Sequence, residues 1–168
     1  GKLVYQWELY SPPSCVTFSP NGRIAAAGIS SGRIKLWTVK TGKEKLDINT
    51  GNKGGVRALA FAPDNKFFAA GCRDATLRLW KMGRKTPLYQ VQLRKGIRDL
   101  VFSGDGRHIF AGLSNGVIQQ FAAEDGAAVQ QWKAHNSDIS SLAISADGAR
   151  LISGSNDCTV SVWQLTTQ

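Results

Sequence analysis

The chain is written in short runs in which apolar and polar side chains alternate, each run closed by Gly, Asp, Asn or Pro. Residues 56–61 read Val-Arg-Ala-Leu-Ala-Phe, after which Pro63-Asp64-Asn65 turns the chain. Phe67–Gly71 is a short apolar run, Arg73-Asp74-Ala75 turns again, and Thr76–Trp80 alternates as Thr-Leu-Arg-Leu-Trp. Pro87–Leu93 is a fourth, weaker run. Successive side chains of a strand point to opposite faces, so this alternation between turn residues predicts strands. No stretch sustains a helical period, and the fold expected is all-β.

The four-run pattern returns along the chain. Trp37, Trp80, Phe121 and Trp163 stand 43, 41 and 42 residues apart. Gly28, Gly71, Gly112 and Gly154 each precede the aromatic by nine residues, and Phe18, Phe61, Phe102 and Ile144 precede it by nineteen. One four-stranded unit is therefore written four times, and units of this length predict the four-stranded antiparallel blades of a β-propeller.

Local motifs add a family resemblance. Phe18-Ser19-Pro20-Asn21-Gly22, Phe61-Ala62-Pro63-Asp64-Asn65 and Ser145-Ala146-Asp147-Gly148 recur at one point of the repeat, and residues 153–163 read Ser-Gly-Ser-Asn-Asp-Cys-Thr-Val-Ser-Val-Trp. With these the whole chain resembles the WD-repeat family. The Asp that often follows the closing aromatic is replaced by Thr38, Lys81, Ala122 and Gln164, a loss the family tolerates. The chain is expected to be a single unit over 1–168, with an N-terminal outer strand at 2–8 and repeats at about 11–49, 52–93, 94–132 and 133–168. The resemblance implies that Lys2–Trp7 is the outer strand of a blade and completes the last one, which removes a free sheet edge. Four blades are few for this family. Two copies forming an eight-bladed ring, or a segment of a larger propeller, are expected over a closed four-bladed monomer, because open blade faces invite association.

Composition is that of a globular protein with a real core: 42% hydrophobic, 20% charged, and no apolar run long enough for a membrane helix. Cys15, Cys72 and Cys158 are odd in number and fall at different points of the repeat, which favours reduced thiols and an intracellular home, cytoplasm or nucleus. The net charge of +9 is unevenly spread. Residues 1–84 hold fourteen Lys/Arg against five Asp/Glu, and residues 85–168 hold seven of each. The basic excess belongs to the first two repeats, where it serves either solubility or an anionic partner.

Two motifs look catalytic and are read otherwise. His135, Ser153 and Asp157 have the composition of a nucleophilic triad. By resemblance they instead match, with Trp163, the structural tetrad of WD repeats, in which a His bonds the turn Asp and the Ser and Trp extend the network. A triad is defined by geometry and an oxyanion site rather than by composition. Gly28-Ile29-Ser30-Ser31-Gly32 fits the G-x-S-x-G elbow, but that elbow needs a strand running into a helix, and here a strand follows. Only the fourth repeat has all four tetrad members. The second has Asp74 and Trp80 but Ala70 and Asn52 in place of Ser and His, and the first three repeats are expected to rely on apolar packing. His108 and His135 lie in different repeats with no ligand cluster beside them. No metal, cofactor or enzymatic activity is expected.

The resemblance implies that partners dock on the rim of the central channel. Transferred to this sequence, the rim positions are Pro12, Ser14, Gly55, Arg57, Gly96, Arg98, Asp138 and Ser140 beside the first strands, and Ser30, Arg73, Ser114 and Asn156 at the turns. Arg57, Arg73 and Arg98 come from neighbouring repeats, with Lys53, Arg94 and Lys95 in adjoining loops. The planar fork of Arg suits carboxylates and phosphates, so an acidic or phosphorylated protein segment is the expected partner. The plainer reading pairs these arginines with Asp74, Asp99 and Asp138. The alternative partner is RNA on the basic first half, which would bind with steep salt dependence but lacks interleaved exposed aromatics.

Overall fold

The computed structural model describes residues 1–51 and 54–165. Fifteen strands occupy it: β1 (Pro13–Phe18), β2 (Ile24–Ile29), β3 (Arg33–Thr38), β4 (Glu44–Asn49), β5 (Val56–Phe61), β6 (Phe67–Cys72), β7 (Thr76–Lys81), β8 (Tyr89–Gln92), β9 (Ile97–Phe102), β10 (His108–Leu113), β11 (Val117–Ala122), β12 (Ala128–Lys133), β13 (Ile139–Ile144), β14 (Arg150–Ser155) and β15 (Val160–Gln164). Among the described residues no helix is long and apolar enough to cross a membrane.

The strands form antiparallel meanders: β1–β4, β5–β8 and β9–β12 are four-stranded sheets, and β13–β15 is a three-stranded one. These are blades one to four of a propeller arrangement. The blades follow one another through their first strands, β1 against β5, β5 against β9 and β9 against β13, and the first and last sheets share no strand. The result is an open arc.

The core lies between the blades, because each sheet is apolar on both faces. Ile34, Leu36, Leu46 and Ile48 of blade one meet Phe61, Phe68 and Trp80 of blade two. Leu77 and Leu79 of blade two meet Leu100, Phe102, Ile109 and Phe121 of blade three. Phe110 and Ile118 of blade three meet Leu142 and Leu151 of blade four, with Trp132 and Trp163 at the margin. The closing aromatics of blades two, three and four, Trp80, Phe121 and Trp163, thus pack toward the blade before each. Close approach is set by the strand-two glycines. A Cβ on Gly28, Gly71 or Gly112 would lie 2.5 Å from Val56 Cγ1, 2.4 Å from Ile97 Cγ2 or 2.5 Å from Ile139 Cγ2. A larger residue there would hold the blades apart.

The N-terminal segment differs from expectation. Lys2–Trp7 is not a strand and does not complete blade four. Blade four lies at the far end of the arc, so its edge is out of reach. The segment packs on blade one instead: Trp7 stacks on Trp37 at 4.6 Å and donates from Nε1 to Gly42 O at 2.8 Å, and the Tyr5 hydroxyl donates to Lys40 O at 3.1 Å.

Candidate functional site

The rim is built by one repeated backbone bond. In each blade the turn between the second and third strands donates an N–H to the carbonyl just before the first strand. The pairs are Ser30 to Pro12 at 3.1 Å, Arg73 to Gly55 at 3.2 Å, Ser114 to Gly96 at 2.9 Å and Asn156 to Asp138 at 3.0 Å. This bond holds turn residues and first-strand residues together at the same end of every sheet. Ser14, Ser30, Ser140 and Asn156 are exposed there, and Ser114 is half-buried.

Glycines bring neighbouring rims together. Gly55 has a φ of +83° and sits against the Ser30 backbone, where a Cβ would lie 2.7 Å from Ser30 O. Gly96 lies beside the Arg73 carbonyl and Ser114 Oγ. Arg57, Arg73 and Arg98 therefore fall along one continuous edge of blades two and three. They are not equivalent. Arg98 is paired with Asp138 of blade four, while its Nε has no partner. Arg57 is half-buried, Arg73 is exposed, and neither makes an ion pair among the described residues. Exposed Arg94 and Lys95 adjoin them; Asn52 and Lys53 lie outside the described residues.

The other two carboxylates of the plainer reading are engaged elsewhere. Asp74 Oδ1 accepts from Thr76 N at 3.1 Å and from Thr76 Oγ1 at 2.6 Å, and its Oδ2 lies 3.9 Å from Arg78. Asp99 bridges blades, accepting from Leu142 N at 2.7 Å and Leu100 N at 2.9 Å. Burial raises its pKa, partly offset by those bonds. Beneath the rim, burial pushes the Cys15 thiol up to about 11, which leaves it protonated at neutral pH.

Blade four carries a directed hydrogen-bond chain. Trp163 Nε1 donates to Ser153 Oγ at 2.9 Å, and Ser153 Oγ lies 2.8 Å from His135 Nε2. His135 Nδ1 lies 2.7 Å from Thr159 Oγ1 and 3.4 Å from Asp157, and Thr159 donates to Asp157 Oδ1 at 2.6 Å. The Thr159 proton is committed to the carboxylate, so Thr159 accepts from His135 Nδ1, and Nε2 then accepts from Ser153. Every donor in the sequence Trp163, Ser153, His135, Thr159, Asp157 is used once. Asp157 also accepts from Asn136 N at 2.7 Å and Thr159 N at 3.0 Å. The Thr159 hydroxyl is the main cause holding its carboxyl well below the usual range, with the backbone bonds adding to it. Ser153 is fully buried, and its oxygen is already held by an indole, which leaves no path for a substrate carbonyl. The Gly28–Gly32 match is a hairpin turn between β2 and β3, with Gly32 N bonded to Ile29 O at 2.9 Å.

Thr159 is absent from the residues singled out by sequence, although its spacing two residues after Asp157 was an available signal. Asp74 and Thr76 repeat that turn in blade two without a His. There Trp80 Nε1 turns instead to Lys85 O at 3.2 Å. Sequence alone also left open where the basic excess gathers. At the opposite sheet ends, Val39 N bonds Arg23 O and Met82 N bonds Lys66 O, which sets the paired turns of each blade side by side. Exposed Arg23, Lys40, Lys43, Lys66, Lys81, Arg84 and Lys85 come from these turns of blades one and two. Asp105, Glu124, Asp125 and Asp147 come from the same turns of blades three and four.

The model for the WD domain, G-beta repeat, matches residues 1–38, 43–81 and 126–164. The interval between the second and third matches holds the blade closed by Phe121 in place of Trp. Among curated proteins, the chain is 30% identical to a periodic tryptophan protein 2 homolog of Neurospora crassa, covering 92% of this chain and 20% of that protein. It is 32% identical to the small ribosomal subunit protein RACK1 of Neurospora crassa, covering 89% of this chain and 50% of that one. A guanine nucleotide-binding protein subunit beta of Oryza sativa subsp. japonica is 27% identical over 86% of this chain and 41% of its own length. The chain spans half or less of the length of these three relatives.

Proposed function

The chain belongs to the WD-repeat family, and from that premise we propose that it is a non-catalytic, intracellular interaction scaffold whose rim over blades two and three docks an acidic or phosphorylated protein segment within a larger assembly. One observation carries the reading: Arg57 and Arg73 share an edge with Arg98 and are left without acidic partners among the described residues. Two cations without counter-ions on a rigid rim repel one another, and an anion spanning them relieves that repulsion while accepting bidentate bonds. Asp138 tethers Arg98 and keeps that guanidinium at the margin of the site. Ser30 and Ser114 supply neutral donors beside it. The assembly includes further blades, since the arc is open at both ends. The test is replacement of Arg57, Arg73 and Arg98 together by Glu, which abolishes capture of the natural partner; capture at the wild-type level refutes the reading.

A second reading has its own support. The exposed cations on the turns of blades one and two form no ion pair among the described residues, and one relative is a small ribosomal subunit protein. This favours a phosphate backbone as ligand of that face. Affinity for labelled RNA would then fall steeply with salt, and would depend on Lys40, Lys43, Arg84 and Lys85 rather than on the rim arginines.

A further inference from the structure

We propose that the seam between blades three and four holds an arginine-bearing peptide segment, its guanidinium between Asp105 and Asp147 and its backbone against Trp132 and the Gln120–Gln130 amide pair. The site goes beyond the docking reading above: it lies at the opposite sheet ends from the rim and is independent of which ligand the rim takes.

The three seams between blades compare position by position. Blade one presents Ile24, Leu36 and Leu46 to blade two, and blade two presents Phe67, Leu79 and Tyr89 to blade three. The first of each set opens its second strand, and the ladders set the other two side by side, Leu36 opposite Leu46 and Leu79 opposite Tyr89. In blade three the same positions are His108, Gln120 and Gln130, with Gln120 opposite Gln130. Three apolar side chains have become an imidazole and two amides, on a blade that has a neighbour on each side. The rest of the seam stays apolar, with Phe110 and Ile118 against Leu142 and Leu151. The exchange is confined to the end of the seam farthest from the rim.

A cleft of about 670 Å³ opens there, lined by these three side chains together with Trp132 and Trp163. That volume is in the range of sites that enclose small ligands or single side chains. Its polar groups are only partly used. Gln130 Nε2 donates to Gln120 Oε1 at 2.7 Å, which leaves the Gln130 carbonyl oxygen and the Gln120 amide nitrogen without hydrogen bonds among the described residues. The indole Nε1 of Trp132 is buried and has no partner. Buried donors are satisfied almost everywhere in folded proteins, so an unused one lining a cleft points to an acceptor from outside. A peptide backbone offers carbonyls to the indole and amide N–H groups and an N–H to the Gln130 oxygen.

Charge selects the side chain. The first turns of blades three and four touch, since a Cβ on Gly104 would lie 3.1 Å from Gly148 Cα, and Asp105 and Asp147 of these turns line the same cleft. Asp105 Oδ1 accepts from Ser103 Oγ at 2.5 Å and Arg107 N at 3.0 Å, and Asp147 Oδ1 accepts from Ser145 Oγ at 2.5 Å and Ala149 N at 2.9 Å. These bonds hold both carboxyls below their usual range, so both are ionised at neutral pH. Each Oδ2 is left without a hydrogen bond, and neither carboxylate forms an ion pair among the described residues, with the exposed Arg107 and Arg150 or with any other cation. Two ionised carboxylates on abutting turns repel phosphate and attract a cation. The cation is a guanidinium, because its planar fork reaches two carboxylates at once and stacks on indole faces, and Trp132 and Trp163, with ring centroids 5.8 Å apart, form the wall beside it.

Titration calorimetry on the full chain tests this, with an acetylated, amidated Gly-Gly-Arg-Gly-Gly peptide and the same peptide carrying citrulline, the neutral isostere of arginine. The arginine peptide is expected to bind wild type, and the citrulline peptide to bind at least about tenfold more weakly. Asp105→Asn/Asp147→Asn keeps the turn acceptors and should lose at least about tenfold for the arginine peptide. Gln120→Leu/Gln130→Leu rebuilds the seam of blade one and should abolish binding while melting at or above the wild-type temperature, since both partners of one hydrogen bond become apolar together. Arg57→Glu/Arg73→Glu should bind the peptide as wild type does, which separates this site from the rim. No binding by wild type, equal affinity for the two peptides, or undiminished binding by the Asn or Leu pair overturns the proposal. Methylguanidine binding as tightly as the arginine peptide overturns the backbone contacts.

Discussion

Substituting Ala for Gly112 tests how the blades are held together. The glycine lies on β10, its φ is not in the left-handed region, and a Cβ there would lie 2.5 Å from Ile139 Cγ2, 2.9 Å from Ile139 Cβ and 3.3 Å from Leu142 Cδ1. Ala at a strand position gains about 0.5–1 kcal/mol over Gly from backbone entropy. Against this, the nearest atoms belong to a β-branched side chain with a stiff χ1, which cannot swing away. Blades three and four must then separate, and overpacking of this kind costs about 1–3 kcal/mol. Overpacking outweighs the entropy gain, and Gly112→Ala should lower stability, measured by urea unfolding with tryptophan fluorescence, by a net of roughly 0.5–2 kcal/mol. The cause can be isolated. Ile139→Ala alone opens a cavity and costs about 2–5 kcal/mol, but together with Gly112→Ala the new methyl enters the vacated space. The two changes should therefore couple favourably by at least about 0.5 kcal/mol. Gly112→Ala at or above wild-type stability, or a cycle additive within about 0.5 kcal/mol, would refute the seam as the determinant of blade spacing.

Other consequences follow from blade four. His135→Ala removes the partner of the buried Ser153 hydroxyl and should cost about 1–3 kcal/mol, read as a lower melting temperature; wild-type melting would show that the network does not stabilise the blade. Asp157 has a folded pKa below its unfolded value, so its contribution is complete above about pH 4 and is lost as pH falls toward the depressed folded value. Asp157→Asn should accordingly be less stable than wild type at pH 7, with the gap narrowing progressively on acidification below about pH 4. A gap independent of pH would show that the carboxylate charge plays no part.

Periodicity made the architecture legible because it is local. The run Val56–Phe61 coincides with β5, and Thr76–Trp80 differs from β7 by one residue, since alternation and turn chemistry act within a hairpin. The weaker run at Pro87–Leu93 narrowed to Tyr89–Gln92; Pro87 has no N–H to give the ladder, while Leu88 and Leu93 on either side of the strand still donate to Leu79 O and Ala75 O. Contacts between repeats were not legible. The plainer reading of the sequence did name Asp138 as a partner for the rim arginines, but that Arg98, forty residues away on the preceding blade, is the one that takes it depends on how the blades pack. Lys2–Trp7 read as a strand from its resemblance to an outer blade strand, but pairing depends on an edge being within reach, which the open arc denies it. Asp99, read as a counter-ion for the rim, turned inward because the Leu142 and Leu100 amides of the blade three–four seam offered it two donors.

The proposed function stands or falls on whether the rim of blades two and three recognises anionic protein. Fluorescence anisotropy with a labelled, Asp/Glu-rich peptide carrying phosphoserine decides this, using wild type, Arg57→Glu/Arg73→Glu, and Lys40→Glu/Lys43→Glu/Arg84→Glu/Lys85→Glu. The peptide should bind wild type and the quadruple variant alike, and the rim variant should lose at least about tenfold in affinity, as expected for two charge-assisted contacts. Equal binding by wild type and the rim variant, or loss confined to the quadruple variant, would show that the rim is not the docking site.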